Sequence, residues 1–386
     1  MKIYKIKLLL LLIFLSSKLF ARQVTEINPD LLRRPWTAKW IAFPENTNTE
    51  FGVYLFRKEI SIETKPQKFI IHVSADNRYK LYINGIYVCN GPARSHTFKW
   101  NFESVDISSY LHEGKNIISA IVWNFAGHRP LAQITGQIGF IIQGNSKDES
   151  IVNTDTSWLV VKDSAYKPIS VNINQYYVAG PGEEFHCEKH PWNWMKKDFN
   201  TLGWKQAREV ETGKPTGCMG EWGDPSLHLL SQRQVPFMEE KNQRFFKIRR
   251  SDINNIPEGF LKGNVPVTVS ANSKVKILVD QNELTTAYPV LNFSKGKGST
   301  IKLTYAESLF DSNGNKGNRN EIENKQIMGN YDLIISDGGN NRIFQTLWWR
   351  TFRYIELEIE TKNEPLVLND FYSVFTAYPF EEKATF

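Results

Sequence analysis

The sequence predicts an all-β protein of two successive β-sandwich or jelly-roll domains behind a signal peptide. Three observations predict it. Segments with period-two alternation, bounded by turn residues, recur along most of the chain. No window longer than about twelve residues carries an apolar i, i+3, i+4, i+7 stripe free of glycine and proline, so long helices are not expected. A polar, turn-rich and Trp-studded stretch from Tyr177 to Pro236 separates an early strand-rich block from a late one, which places the domain boundary near Pro236.

The N-terminus carries Lys2, Lys5 and Lys7, then an unbroken apolar run from Leu8 to Leu15, then Ser16 to Ala21. That is the order of a secretory signal, with cleavage expected after Ala21 and a mature chain starting at Arg22. The apolar run is too short to cross a bilayer as a helix. No cysteine follows it, which argues against a lipid anchor. The expected location is therefore periplasmic or extracellular, with no membrane span.

Charge and cysteine content narrow the function classes. The formal charge of +6 falls to about +2 when the four lysines of the leader are removed. The mature chain has no Lys/Arg-dense stripe, so nucleic acid is not an expected partner. Three cysteines (Cys89, Cys187 and Cys218) without C-x-x-C spacing suggest neither a disulfide framework nor a zinc site. A single Cys187–Cys218 bridge remains compatible with an oxidising compartment.

The strands follow in order. In residues 79–89, Tyr79, Leu81 and Ile83 alternate with Lys80, Tyr82 and Asn84, and Asn84-Gly85 supplies the positive φ angles of a type I′ hairpin. Residues 117–123 (IISAIVW) are apolar on both faces and read as a central strand, fed by a short turn around Asp106–Leu111. Later, Ile301, Leu303 and Tyr305 alternate with threonine and lysine, and Ile355, Leu357 and Ile359 alternate with glutamates. Both read as half-buried antiparallel strands.

Residues 74–95 (SADNRYKLYINGIYVCNGPARS), 118–124 (ISAIVWN), 153–158 (NTDTSW), 303–307 (LTYAE), 316–321 (KGNRNE) and 348–354 (WWRTFRY) together resemble bacterial α-L-rhamnosidases, in order, from about residue 36 to Phe386. The resemblance implies a jelly-roll domain over 36–235 and a concanavalin-like β-sandwich over 236–378. In the family, a helical (α/α)6 barrel follows and hydrolyses terminal α-L-rhamnosyl groups. Here residues 379–386 would be only a lead-in to that barrel, so the resemblance implies a truncated chain, and no residue is assigned a catalytic role. A rhamnose-containing glycan and a catalytic barrel acting in trans are the partners it suggests. A remnant that folds without binding anything is the other alternative.

Pyranose faces pack on aromatic rings and hydroxyls seek charged and amide groups, so Arg94 and His128, beside proline turns, are carbohydrate-binding candidates. Trp123, at the end of the doubly apolar strand, reads as core. Trp192 and Trp194 flank Asn193 in the irregular stretch and suit binding or packing. Arg319 and Glu321 in the KGNRNE loop suit docking, as do Trp348 and Trp349 before a strand. An exposed aromatic surface for docking is expected around Tyr378, Phe380 and Phe386. The carboxylates of Asp76, Glu183, Glu184, Glu381 and Glu382 read as structural or solvated. Asp311–Asn315 reads as a turn, because Lys316 and Ile322 stand where an EF-hand needs glycine and glutamate. Neither a metal nor a cofactor is implied.

Overall fold

The computed structural model describes residues 26–45, 50–170, 180–218 and 226–384. The signal segment, Arg22 and Phe386 lie outside the described residues. Among the described residues the regular structure is β-strand with short 3-10 turns, and no helix is long and apolar enough to cross a membrane. The all-β expectation is therefore met.

Two sheets form the first sandwich. One has seven strands, with Gly139–Gly144 and Ile70–Asp76 at its centre. The other has six, with Gly52–Ile62 paired to Gly114–Asn124 and that strand paired to Arg78–Ile83. Strand Gly114–Asn124 is the central one read from IISAIVW, preceded by a 3-10 turn at Ser108–Tyr110. The core between the sheets takes Ile71, Val73, Phe140 and Ile142 from one face and Tyr54, Phe56, Leu81 and Val122 from the other. The 78–91 hairpin turns at Asn84 (φ 52°) and Gly85 (φ 78°), the left-handed pair that a type I′ turn demands.

Among the described residues the second domain is built on one hydrogen-bonded network of eleven strands, two of them contributed by the chain before Pro236. Its organiser is the 22-residue strand Lys274–Lys295. The first half of that strand pairs with Arg350–Glu360, its second half pairs with Leu366–Ala377, and a register shift between Asp280 and Thr285 lets it bend. So long a strand cannot stay flat, and twist carries the sheet around one core that includes Phe245, Leu291, Phe352 and Phe371. Strands Thr300–Ala306 and Arg350–Glu360 are antiparallel neighbours, with Ile301 opposite Ile359, Leu303 opposite Leu357 and Tyr305 opposite Ile355.

The chain crosses between the two domains before Pro236. Strand Tyr166–Ile169 pairs with Gly182–His186, which runs parallel to Tyr331–Ile335 of the second network. The crossing pair covers an edge that would otherwise expose unpaired backbone groups. The chain then returns, and Lys205–Gln206 pairs with Leu159–Val160 of the first sandwich. Arg57 ties down the returning segment by donating to the carbonyls of Trp194 (3.2 Å) and Lys196 (3.0 Å).

Cys89 and Cys187 are buried thiols outside any disulfide, so the Cys187–Cys218 bridge is not formed. Burial holds the Cys187 thiol up at about 12, far from the thiolate form.

Candidate functional site: the cleft between the two domains

The hairpin shows how the site arises. Tyr79, Leu81 and Ile83 point into the first core, so Arg78, Lys80 and Tyr82 must point to the other face. That face meets the second domain instead of water, and Lys80 is only 4% exposed. Its ammonium donates to the Thr346 carbonyl (2.9 Å) and to Gln345 Oε1 (3.2 Å), and lies 5.0 Å from the Tyr288 ring centre. Burial pulls its pKa down to about 8, against the opposing pull of Glu183 and Glu240.

Trp348 forms the hydrophobic joint. It is buried with Leu347 against Val53, Trp123 and Phe125 of the first domain. The guanidiniums of Arg78 and Arg94 lie 4.5 and 4.9 Å from its ring centre, and Trp349 packs on it at 5.8 Å. Arg78 is held in place by donating to the Pro92 carbonyl (3.0 Å) and Asn90 Oδ1 (3.3 Å).

Beside this joint opens a cleft in two lobes. The larger, about 720 Å³, is lined by Arg94, Trp349 and Phe380, among others. The smaller, about 490 Å³, is lined by Tyr82, Tyr372 and Lys80, among others. Both share Tyr87, Asn90, Tyr288 and Glu240. Asn90 Nδ2 donates to Glu240 Oε1 (2.7 Å) and to the Tyr87 hydroxyl oxygen (2.7 Å), and the Tyr87 hydroxyl donates to Glu240 Oε1 (3.2 Å). Burial raises the Glu240 carboxyl above its ordinary value, partly offset by the Tyr87 hydrogen bond and the Lys80 charge. The cleft thus combines aromatic faces with a carboxylate, an amide and cations, a set suited to holding a polar ligand that also has apolar faces.

The structure brings Arg94, Trp348 and Trp349 together here. His128 is exposed elsewhere, with Nδ1 3.4 Å from Ser170 Oγ and its ring beside Phe51. Trp192 packs on the second core, donates to the Cys187 carbonyl (2.9 Å) and carries the Arg342 guanidinium at 4.5 Å. Trp194 is 1% exposed and packs near Trp204, so it has no free face for a sugar. Trp123 is core, as its strand suggested.

Arg319 and Glu321 sit on an exposed loop over a small cluster of Leu278, Leu309, Ile322 and Tyr354, outside the cleft lining. The loop is held by the Tyr354 hydroxyl donating to the Arg319 carbonyl (2.7 Å). Asp311 accepts from the backbone N–H groups of Asn313 and Asn315, closing its own turn. Glu183 and Glu184 point to opposite faces, as an extended segment requires: Glu183 is buried, whereas Glu184 pairs with His186 and Lys167 at the surface.

Tyr378 and Phe380 are exposed, 44% and 84%, and their rings pack against each other at a tilt of 50° with centres 4.8 Å apart, beside the larger lobe. Sequence reading missed Tyr87, Asn90, Glu240, Tyr288 and Tyr372. The usable signal was the second face of the hairpin, where Arg78, Lys80, Tyr82 and Tyr87 are too large and too aromatic for an ordinary solvent face.

Fold and cleft define an all-β protein whose two sandwiches share a joint lined by aromatic and charged side chains. Its structural neighbours are GH78 α-L-rhamnosidases, matching the resemblance carried by residues 74–95 and 348–354. The GH78 family rhamnosidase of Bacillus sp. GL1 superposes with a TM-score of 0.76 at 13% identity, over 91% of this chain and 56% of that one. The Aspergillus terreus α-L-rhamnosidase gives 0.61 at 16% identity, over 89% and 36%. The α-L-rhamnosidase of "Dictyoglumus thermophilum" gives 0.58 at 20%, over 90% and 36%. At these identities the likeness is one of fold, and the chain spans about half of the first neighbour and about a third of the other two. No protein-family model and no curated protein sequence matches the chain.

Proposed function

We propose that the protein binds a rhamnose-containing glycan in the interdomain cleft, acting as a carbohydrate-binding and docking unit with no hydrolysis of its own. The observation that carries this reading is the pairing, in one cleft, of the aromatic faces of Tyr87, Tyr288 and Trp349 with the polar tips of Glu240, Asn90 and Arg94. A 6-deoxy sugar offers a matching chemistry: an apolar ring face and methyl group, with hydroxyls around the rim. The rhamnosidase fold of the neighbours supports the choice of sugar. The lysine-rich, apolar N-terminus supports a place outside the cytoplasm, and N-terminal sequencing of the exported form is expected to begin at Arg22.

Calorimetric titration with L-rhamnose and with rhamnose-terminated oligosaccharides tests the binding, alongside tryptophan fluorescence, because Trp349 lines the cleft. Binding that weakens at least about fivefold in Glu240→Gln, with aryl α-L-rhamnosides left uncleaved, is the expected result; the loss corresponds to one weakened charge-assisted hydrogen bond. Absence of any heat or fluorescence change at millimolar sugar would overturn the reading.

A further inference from the structure

We infer that the cleft has two adjoining sugar subsites that meet at Glu240, so its ligand is an oligosaccharide of at least two units and not a monosaccharide. The inference rests on the glycan-binding reading above and deepens it. Each lobe, at about 720 and 490 Å³, is by itself within the range of a small-molecule site. What separates them is the hydrogen-bonded triangle of Tyr87, Asn90 and Glu240, built from one strand of each domain. The triangle uses Glu240 Oε1 only. Among the described residues no hydrogen bond reaches Oε2, which leaves that oxygen to accept hydroxyls from units on either side of the divider.

The two lobes differ in character, and the difference orients the ligand. Tyr82, Tyr110 and Tyr372 line the smaller lobe alone, and Val374 and Ile86 add apolar surface there. Its one cation, Lys80, is already engaged by Gln345 and Thr346. That lobe suits a neutral, partly deoxygenated terminal unit. The larger lobe, with Arg94, Trp349 and the exposed Phe380, suits the next, more hydroxylated unit of the chain.

Titration of the full chain with L-rhamnose and with rutinose, the α-L-rhamnosyl-glucose disaccharide, tests this with Trp349→Ala and Tyr372→Ala. Rutinose is expected to bind at least about tenfold more tightly than L-rhamnose. Trp349→Ala should weaken rutinose at least about fivefold more than it weakens L-rhamnose, whereas Tyr372→Ala should weaken both sugars to a similar degree. Trp349→Tyr, which keeps a ring, should recover part of the rutinose advantage, and thermal melting of each variant shows that it is folded. Equal affinity for the two sugars, or an equal loss of both in Trp349→Ala, would leave the glycan reading standing and overturn the two-subsite inference. If neither sugar binds, both fall.

Discussion

Asp76 in the first domain and Glu183 in the second are both buried carboxylates, yet they are closed to very different degrees. Asp76 Oδ1 accepts from Asn77 (2.7 Å), Asn124 (3.1 Å) and the Thr135 hydroxyl (2.7 Å). Its Oδ2 accepts from the backbone N–H groups of Gly136 (2.6 Å) and Gln137 (3.1 Å), and His228 Nε2 stands at 3.0 Å. Glu183 must share one guanidinium with Asp332. The fork of Arg350 goes to Asp332, through Nε at 3.0 Å and Nη2 at 2.5 Å, and Glu183 Oε1 receives a single bond from Nη2 at 3.1 Å plus the Leu347 N–H at 2.9 Å.

Glu183 Oε2 is left without a partner, and burial pushes the carboxyl up to about 7 despite the nearby Arg350. A saturated carboxylate organises a domain, whereas a half-saturated one keeps an oxygen with no donor. The first hub gathers the loop at 135–137 and the strand end at Asn124, so it sits where the first sandwich is pinned together. The second sits at the crossing strand Gly182–His186, where the two domains are joined.

Breaking the saturated hub should have the largest effect. Asp76→Ala strands several buried donors and the His228 ring at once, and a loss on the order of 4 kcal/mol or more is expected in denaturant unfolding. An effect near that of an ordinary surface change would mean that water replaces the carboxylate and that the contrast is false.

The comparison sharpens with pH. A carboxyl whose folded value is raised from 4.5 to about 7 contributes stability that is complete below the unfolded value and is lost as pH rises through the folded one. Wild type should therefore lose stability relative to Glu183→Gln between about pH 5 and about pH 8. His228 acts in the same direction. Burial lowers its pKa, but the bond to Asp76 and the charges of Asp76 and Glu211 outweigh that and raise it, so its contribution is also lost on the alkaline side. A stability difference that stays flat with pH would show that Glu183 is ionised throughout.

Near neutral pH, Glu183→Gln itself should change stability by no more than about 1 kcal/mol, because an amide oxygen can accept from Leu347 and Arg350 while the orphaned atom loses its charge. The smallest effect is expected at the exposed ring pair. Serine at both Tyr378 and Phe380 should move stability by no more than about 0.5 kcal/mol while reducing concentration-dependent association in sedimentation. Unfolding of that double variant would show that the rings belong to the core.

By itself the sequence determined the all-β class, the hairpin at Asn84-Gly85, the central strand around Ile117–Trp123 and the alternating strands near residues 301 and 355. These follow from local rules, the pleat period and the φ angles that a tight turn requires, and no distant partner changes them. Resemblance through short motifs also carried the rhamnosidase fold, and local context, a proline turn beside Arg94 and a strand after Trp348 and Trp349, placed those three among the candidates. Only the tertiary structure decided that the polar face of the hairpin meets a second domain, that Glu240 closes onto Tyr87 and Asn90, and that Trp194 is buried while Phe380 is not. The first two outcomes depend on contacts between residues 150 or more positions apart in sequence, Lys80 with Thr346 and Asn90 with Glu240. Side-chain alternation tells which face a residue takes. What covers that face is set by the packing of the two sandwiches against each other.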